Sequence, residues 1–283
     1  MDLCNVSVIK EVMGEAGISF RKEFGQNFLI NRIIPEEIAD NAAYSEDTLI
    51  IEIGPGIGCL TKELAERYKR VVAVEIDKGL IPVLSKTLAD YDNVTVINAD
   101  IMKTDIADII ATYSDGMPVA VCANLPYYIT TPILMYLLES GVNLTSITVM
   151  VQNEVAARLV AQAGSADYGA ITAVLGFYGE ARKLFKVSAG SFMPVPKVDS
   201  AVVKIDLYKE PRYFPKDEKF FRNLIKAAFE MRRKTLVNAI NAKFPYIEKG
   251  RIAECLVSLG FTETVRGERL STEDFVNLSN LLV

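Results

Sequence analysis

Short apolar runs rich in β-branched residues recur as far as about residue 207, most of them followed by a stretch with helical spacing. Leu49-Ile50-Ile51-Glu52-Ile53 reads as a buried strand, and Cys59 to Tyr68 as the helix behind it. Val71 to Glu75 and Val94 to Asn98 are further strands, separated by a helical segment from Lys78 to Ala89. Val119 to Ala123 and Ile147 to Val151 continue the series. This alternation predicts βαβ units, and so an α/β fold with a largely parallel sheet covered on both faces. Lys183 to Ser188 and Ala201 to Leu207 add two strands with no helical pattern between them. That last pair is expected to meet antiparallel at one edge of a seven-stranded sheet.

After Leu207 the pattern changes. Lys209 to Lys216 carries Pro211 and Pro215 among mixed charges and reads as a linker. Phe220, Phe221, Leu224, Ala228 and Leu236 then fall at helical spacing. Arg251 to Leu259 predicts a second helix stopped by Gly260, and Ser271-Thr272-Glu273-Asp274 a capping box opening a third towards Val283. The expected organisation is a domain over residues 1–208, beginning with a helical extension over 1–23, and a small helical domain over 209–283.

Half of the 283 residues are hydrophobic and 24% are charged, which suits a globular chain. Met1 to Gly17 has no signal-peptide pattern, and no apolar run reaches the ~20 residues that span a bilayer. A cytoplasmic location without membrane contact is expected, and nothing demands an assembly beyond a monomer. Histidine is absent, and Cys4, Cys59, Cys122 and Cys255 form no CxxC pair. Ser-His-Asp and Cys-His triads and histidine-ligated metals are thereby excluded, and no metal site is expected. The net charge of −5 conceals a split: residues 1–180 hold 12 Lys/Arg against 24 Asp/Glu, residues 181–283 hold 19 against 12. Such a split suits a chain whose later part faces a polyanion.

The first strand runs into Gly54-Pro55-Gly56-Ile57-Gly58. Glycines at a strand-to-helix turn let a ligand approach the backbone. A dinucleotide fingerprint would want a third glycine at position 59, where Cys59 stands, which counts against NAD. Glu75 closes the second strand and is placed to take both hydroxyls of a ribose. Asp100 follows the third strand and can accept from an adenine amino group. Two acids with no phosphate-binding cation suit a phosphate-free, cationic cofactor, and S-adenosylmethionine fits.

The fourth strand delivers Asn124-Leu125-Pro126-Tyr127-Tyr128, and ligands of open α/β sheets sit beyond the carboxyl ends of strands. An exocyclic amino group has two N–H donors. The Asn124 side-chain oxygen can accept one, and the carbonyl of Leu125 or Pro126 the other. Tyr127 can stack on an extruded base, a contact worth ~1–3 kcal/mol. Two acceptors would localise the amino lone pair, and the methylated nitrogen sheds its proton without a dedicated base, so an imidazole is unnecessary. A plain Asn-Pro turn is the alternative reading of these residues alone.

Together these motifs resemble the ribosomal RNA adenine N6-dimethyltransferase family over roughly Phe20 to Leu207. Phe24-Gly25-Gln26-Asn27-Phe28-Leu29 looks like its N-terminal motif, whose Asn27 and Leu29 positions contact the cofactor. Gly54, Gly56, Glu75, Asp100 and Asn124 correspond to its other cofactor positions. Phe192-Met193-Pro194-Val195-Pro196-Lys197-Val198-Asp199-Ser200 looks like its late motif, where Phe192 can form the second face of a base sandwich. The resemblance implies a Rossmann-like class I methyltransferase sheet with a small C-terminal helical domain. Asn124 to Ile133 is most similar to the branch that acts on small-subunit (16S) rRNA. That branch implies dimethylation of two adjacent adenosines in the 3′-terminal hairpin loop during late small-subunit assembly. The 23S rRNA dimethyltransferases of macrolide resistance and a non-catalytic ribosome assembly factor are the alternatives.

Cations cluster at the start of the helical tail: Arg222, Lys226, Arg232, Arg233 and Lys234. Arg222, Lys226 and Arg233 recur at steps of four and seven, close to one helix face, and are expected to track RNA phosphates. A solvated helix face is the plain alternative.

Overall fold

The computed structural model describes residues 1–18 and 26–283. Seven strands build one sheet: β1 Leu49–Ile53, β2 Arg70–Glu75, β3 Val94–Asn98, β4 Val119–Asn124, β5 Ser146–Gln152, β6 Gly179–Val187 and β7 Ser200–Leu207. Their order is β3-β2-β1-β4-β5-β7-β6. The first five run parallel, β7 returns antiparallel to β5, and the last pair is antiparallel. All five residues of β1 are buried, because helices cover both of its faces.

This order creates the site. From β1 the chain builds outward to β2 and β3, then crosses back to lay β4 on the other side of β1. The carboxyl ends of β1 and β4 therefore open a crevice at the switch point. Register makes the two ends level: Ile53 pairs with Ala123, and Ile53 with Val74. The segments after Ile53, Val74 and Ala123 thus leave the sheet side by side.

The chain forms two compact units: residues 1–156 with 182–207, and residues 157–181 with 208–283. The expected division at 208/209 therefore differs over residues 157–181, which join the later helices. The helices in chain order are α1 Val6–Glu15, α2 Ile33–Asp40, α3 Cys59–Ala65, α4 Ile81–Thr87, α5 Ile106–Tyr113, α6 Thr130–Glu139, α7 Asn153–Leu159, α8 Ala170–Tyr178, α9 Glu218–Glu230, α10 Leu236–Lys243, α11 Lys249–Ser258 and α12 Thr272–Leu282. Phe177 on α8 packs its ring 5.0 Å from that of Phe221 on α9, and the Thr272 hydroxyl donates to the Ala173 carbonyl at 2.9 Å. Those contacts bind α8 to the later helices.

In the first unit, Asn5 caps α1 by accepting from the Ser7 N–H at 2.9 Å. The buried face of α1, Ile9, Val12 and Met13, packs with Phe28, Ile57, Leu80 and Val83. Phe28-Leu29 forms a two-residue antiparallel bridge with Phe192-Met193. The helix expected over 78–89 is split, with a 3-10 turn at Lys78–Leu80 before α4. Of the helical extension expected over 1–23, α1 covers Val6–Glu15, and residues 19–23 lie outside the described residues.

In the second unit, Asp217 caps α9, accepting from the Phe220 N–H at 2.9 Å. The apolar spacing up to Leu236 suggested one helix, but α9 ends at Glu230. Met231 leaves helical geometry, Lys234 N–H turns back to the Met231 carbonyl at 2.8 Å, and Thr235 caps α10. Gly260, at φ +85°, ends α11 while Phe261 N–H returns to the Leu256 carbonyl at 3.0 Å. Ser271 and Asp274 make the expected reciprocal cap of α12. No helix among the described residues is long and apolar enough to cross a membrane.

Candidate active site

At the switch point of the first unit lies a cleft of about 1080 Å³, its open mouth included. Five segments wall it: residues 26–29, the turn after β1, the ends of β2 and β3, and the loop after β4. Asn27, Leu29, Gly54, Gly56, Glu75, Asp100, Asn124, Leu125, Pro126 and Tyr127 all line it. Phe24 and Gly25 of the N-terminal motif lie outside the described residues. Gly54 and Gly56 have φ of +72° and +61°, a conformation that β-carbons disfavour. A Cβ on Gly56 would also stand 3.0 Å from the Phe28 ring, so the turn and the residue 26–29 segment fit together only with glycine there.

The far wall is acidic. Glu75 is 4% exposed, and its two oxygens accept from the Gly56 N–H at 3.1 Å and the Asp77 N–H at 2.8 Å. Burial raises its pKa, and those two N–H groups work against the rise. Asp77 is held in turn by the Gln26 amide at 2.9 Å and the Gly79 N–H at 3.0 Å. Asp100 caps the turn after β3 by accepting from the Met102 N–H at 3.0 Å, with the Lys103 ammonium 3.5 Å from its other oxygen.

Glu52, which the sequence shows only as the polar member of a buried strand, also lines this wall. It is 1% exposed, and its Oε2 has no hydrogen-bond partner among the described residues. Burial pushes its pKa up to about 8, Glu75 adds to the rise, and the neighbouring Thr61 hydroxyl partly offsets it. A wall of acids along a cleft suits hydroxyl donors and cations, and disfavours phosphates.

The opposite wall is the loop after β4. The Asn124 amide N–H donates to the Asn27 carbonyl at 3.3 Å, which leaves the side-chain oxygen as the acceptor. The Pro126 carbonyl already accepts from the Ile129 N–H at 3.2 Å and the Thr130 hydroxyl at 3.1 Å. Among the described residues nothing donates to the Leu125 carbonyl, so Leu125 rather than Pro126 offers the second acceptor. Tyr127 is half-buried, and its hydroxyl bonds that of buried Ser200 at 2.7 Å, which fixes the ring at the cleft. Burial raises the phenol pKa.

Phe192 is not brought to the cleft. It is 1% exposed and packs in the core with Leu29, Ile34 and Val202, its backbone paired with Leu29. The structure thus packs Phe192 against Leu29 of the cleft wall, with the Phe192-Met193 backbone bridged to Phe28-Leu29.

The cations fall in the second unit, and not on one helix face. Arg222 and Lys226 lie on α9, but Arg232, Arg233 and Lys234 lie beyond its end. Arg222 binds Glu218 and the Tyr178 hydroxyl, Lys226 lies 4.0 Å from Glu230, and Arg232 donates to the Ala166 carbonyl at 2.7 Å. Arg233 and Lys234 are exposed with no ion-pair partner among the described residues.

Residues 17–283 match the family model described as ribosomal RNA adenine dimethylase. A ribosomal RNA small subunit methyltransferase A of Lachnoclostridium phytofermentans is 46% identical over 275 residues, covering 96% of this chain and 94% of the relative. The crystal structure of a dimethyladenosine transferase from Plasmodium falciparum is similar at a TM-score of 0.75 and 27% identity, over 88% of this chain and 95% of that one. That of the 23S rRNA methyltransferase ErmE is similar at 0.69 and 27% identity, over 90% and 99%. An acid-walled crevice facing an Asn-Leu-Pro-Tyr loop and a family match across nearly the whole chain agree: this chain belongs to the ribosomal RNA adenine dimethylase family.

Proposed function

We propose that the chain transfers methyl groups from S-adenosylmethionine to N6 of two adjacent adenosines in the 3′-terminal hairpin loop of small-subunit (16S) rRNA. The products are N6,N6-dimethyladenosines, formed late in small-subunit assembly. The observation that carries the proposal is the juxtaposition of the Asn124 and Leu125 acceptors with the acidic wall across one cleft. The 46% identity to a small-subunit relative over 96% of this chain favours the small-subunit substrate.

The donor's site fits residues of the first unit. Glu75 would take the ribose hydroxyls, Asp100 the adenine amino group, and the backbone at Gly54 and Gly56, with Asn27 and Leu29, would enclose the rest. Bound there, S-adenosylmethionine supplies an electrophilic methyl group on a cationic sulfur. The chain's own work is on the acceptor. The Asn124 oxygen and the Leu125 carbonyl accept hydrogen bonds from the N6–H groups and localise the amino lone pair on nitrogen. As the N6–CH3 bond forms and the sulfur–methyl bond breaks, N6 becomes cationic, and one of its protons, now strongly acidic, passes to solvent, in keeping with a chain that has no histidine. Tyr127 supports the extruded base by stacking, its ring held by Ser200.

Transfer of labelled methyl groups to unmodified small subunits tests the reading. The native chain labels them, and Asn124→Ala lowers the rate by about 10²–10³, the cost of removing one preorganised hydrogen-bonding group. Equal labelling by the variant would refute the role of Asn124. No labelling by the native chain would leave the assembly-factor reading.

A further inference from the structure

Cys4 and Cys59 are separated by 55 positions, yet their sulfurs lie 2.9 Å apart. Both are thiols, Cys4 buried and Cys59 partly so. Cys59 also lines the donor cleft, and both cysteines line a second recess with Arg32, Lys62 and Glu63. That recess has about 570 Å³ of space, open to solvent, enough for a small oxidant.

Two chemistries could use such a pair. A zinc ion with sulfur ligands at ~2.3 Å in tetrahedral geometry holds its sulfurs ~3.8 Å apart, and asks for four ligands. The observed separation is shorter, and the described residues contain no group of three or more metal-ligating side chains. A disulfide needs ~2.05 Å, less than 1 Å of further approach.

We propose that Cys4 and Cys59 are an oxidisable pair that a hydroperoxide converts to an intramolecular disulfide. Cys4 is the attacking sulfur. Its contact with Cys59 lowers its pKa, outweighing burial and the charges of Asp2 and Glu63, with Arg32 acting in the same direction. Cys59 is shifted the opposite way by that contact and by burial, and so keeps its proton. The Cys4 thiolate displaces hydroxide, or alkoxide, from the peroxide and becomes a sulfenic acid. The leaving group takes a proton to give water or an alcohol. The Cys59 sulfur then attacks the Cys4 sulfur, and hydroxide leaves with the Cys59 proton as water. Two thiols lose two electrons, and the peroxide gains them.

The bond closes a loop that holds residues 26–29 and the Gly54–Gly58 turn. It fastens the segment before α1 to the start of α3, beside the donor cleft. Its effect is to remove freedom from the unfolded chain, and it does not depend on which RNA is the substrate.

The test treats the native protein with hydrogen peroxide and maps peptides without reduction. The expected result is a linked Cys4–Cys59 peptide, formed at least tenfold faster than any change at Cys122 or Cys255. The Tm of the oxidised protein should rise by roughly 5–15 °C, as expected for a loop of this length in a unit of this size. In Cys59→Ser the Tm rise disappears and Cys4 is trapped as sulfenic or sulfinic acid. Linkage between molecules, or oxidation of Cys255 while Cys4 and Cys59 stay reduced, would overturn the proposal. The peptide map needs no variant, so it decides even if Cys59→Ser folds poorly.

Discussion

Glu52→Gln isolates the buried acid of the cleft. The substitution keeps the side chain's shape and removes its titration. In the native fold Glu52 holds its proton up to about pH 8, against an ordinary value of 4.5, because burial and an unpartnered oxygen disfavour the anion. The unfolded chain gives that proton up near 4.5. Since the folded value is the raised one, the stabilising contribution of the bound proton is complete below pH 4.5. It is lost progressively until about pH 8. Each tenfold gap in proton affinity is worth about 1.4 kcal/mol, so the ceiling on that loss is ~5 kcal/mol. Urea unfolding of both proteins from pH 5 to 9 measures it, and the difference between the curves cancels the other carboxylates. The two proteins should agree within about 1 kcal/mol at pH 5, and the Gln variant should be the more stable by several kcal/mol at pH 8.5. Parallel curves across the range would refute a buried, protonated Glu52.

Ser200→Ala removes the partner of the Tyr127 hydroxyl without touching the donor's wall. Single-turnover methyl transfer should slow about tenfold, the worth of one buried hydrogen bond, while calorimetry shows S-adenosylhomocysteine affinity unchanged. Charge reversal of Arg233 and Lys234 together should weaken binding to unmodified small subunits and lower the salt slope by about one for each phosphate no longer neutralised. Arg222→Glu should change that slope less, because Arg222 is already engaged by Glu218 and Tyr178.

The sheet was legible because strands buried on both faces are written as continuous apolar runs, as in Val119–Ala123. The residues of the cleft were legible for a related reason. Gly54, Glu75, Asp100 and Asn124 each follow or end a strand, and parallel strands deliver their carboxyl ends to one edge. What depends on distant packing was not. Residues 157–181 are contiguous with the first unit in sequence, and only packing such as that of Phe177 on Phe221 assigns them to the second. The turn at Met231 breaks a cation face that spacing alone made continuous. Phe192 carries a motif position, but its strand bridge to Leu29 shows only in the fold. Glu52 shows its character only through burial, and Cys4 with Cys59 only through an approach across 55 positions.

The central claim is tested most directly by mass mapping of ribosomal RNA from a strain lacking this chain. N6,N6-dimethyladenosine is expected to disappear from the 3′-terminal hairpin of the small-subunit RNA and to return when the native gene, but not the Asn124→Ala gene, is restored. Intact dimethyladenosine in that hairpin, or its loss from the large-subunit RNA instead, would contradict the claim.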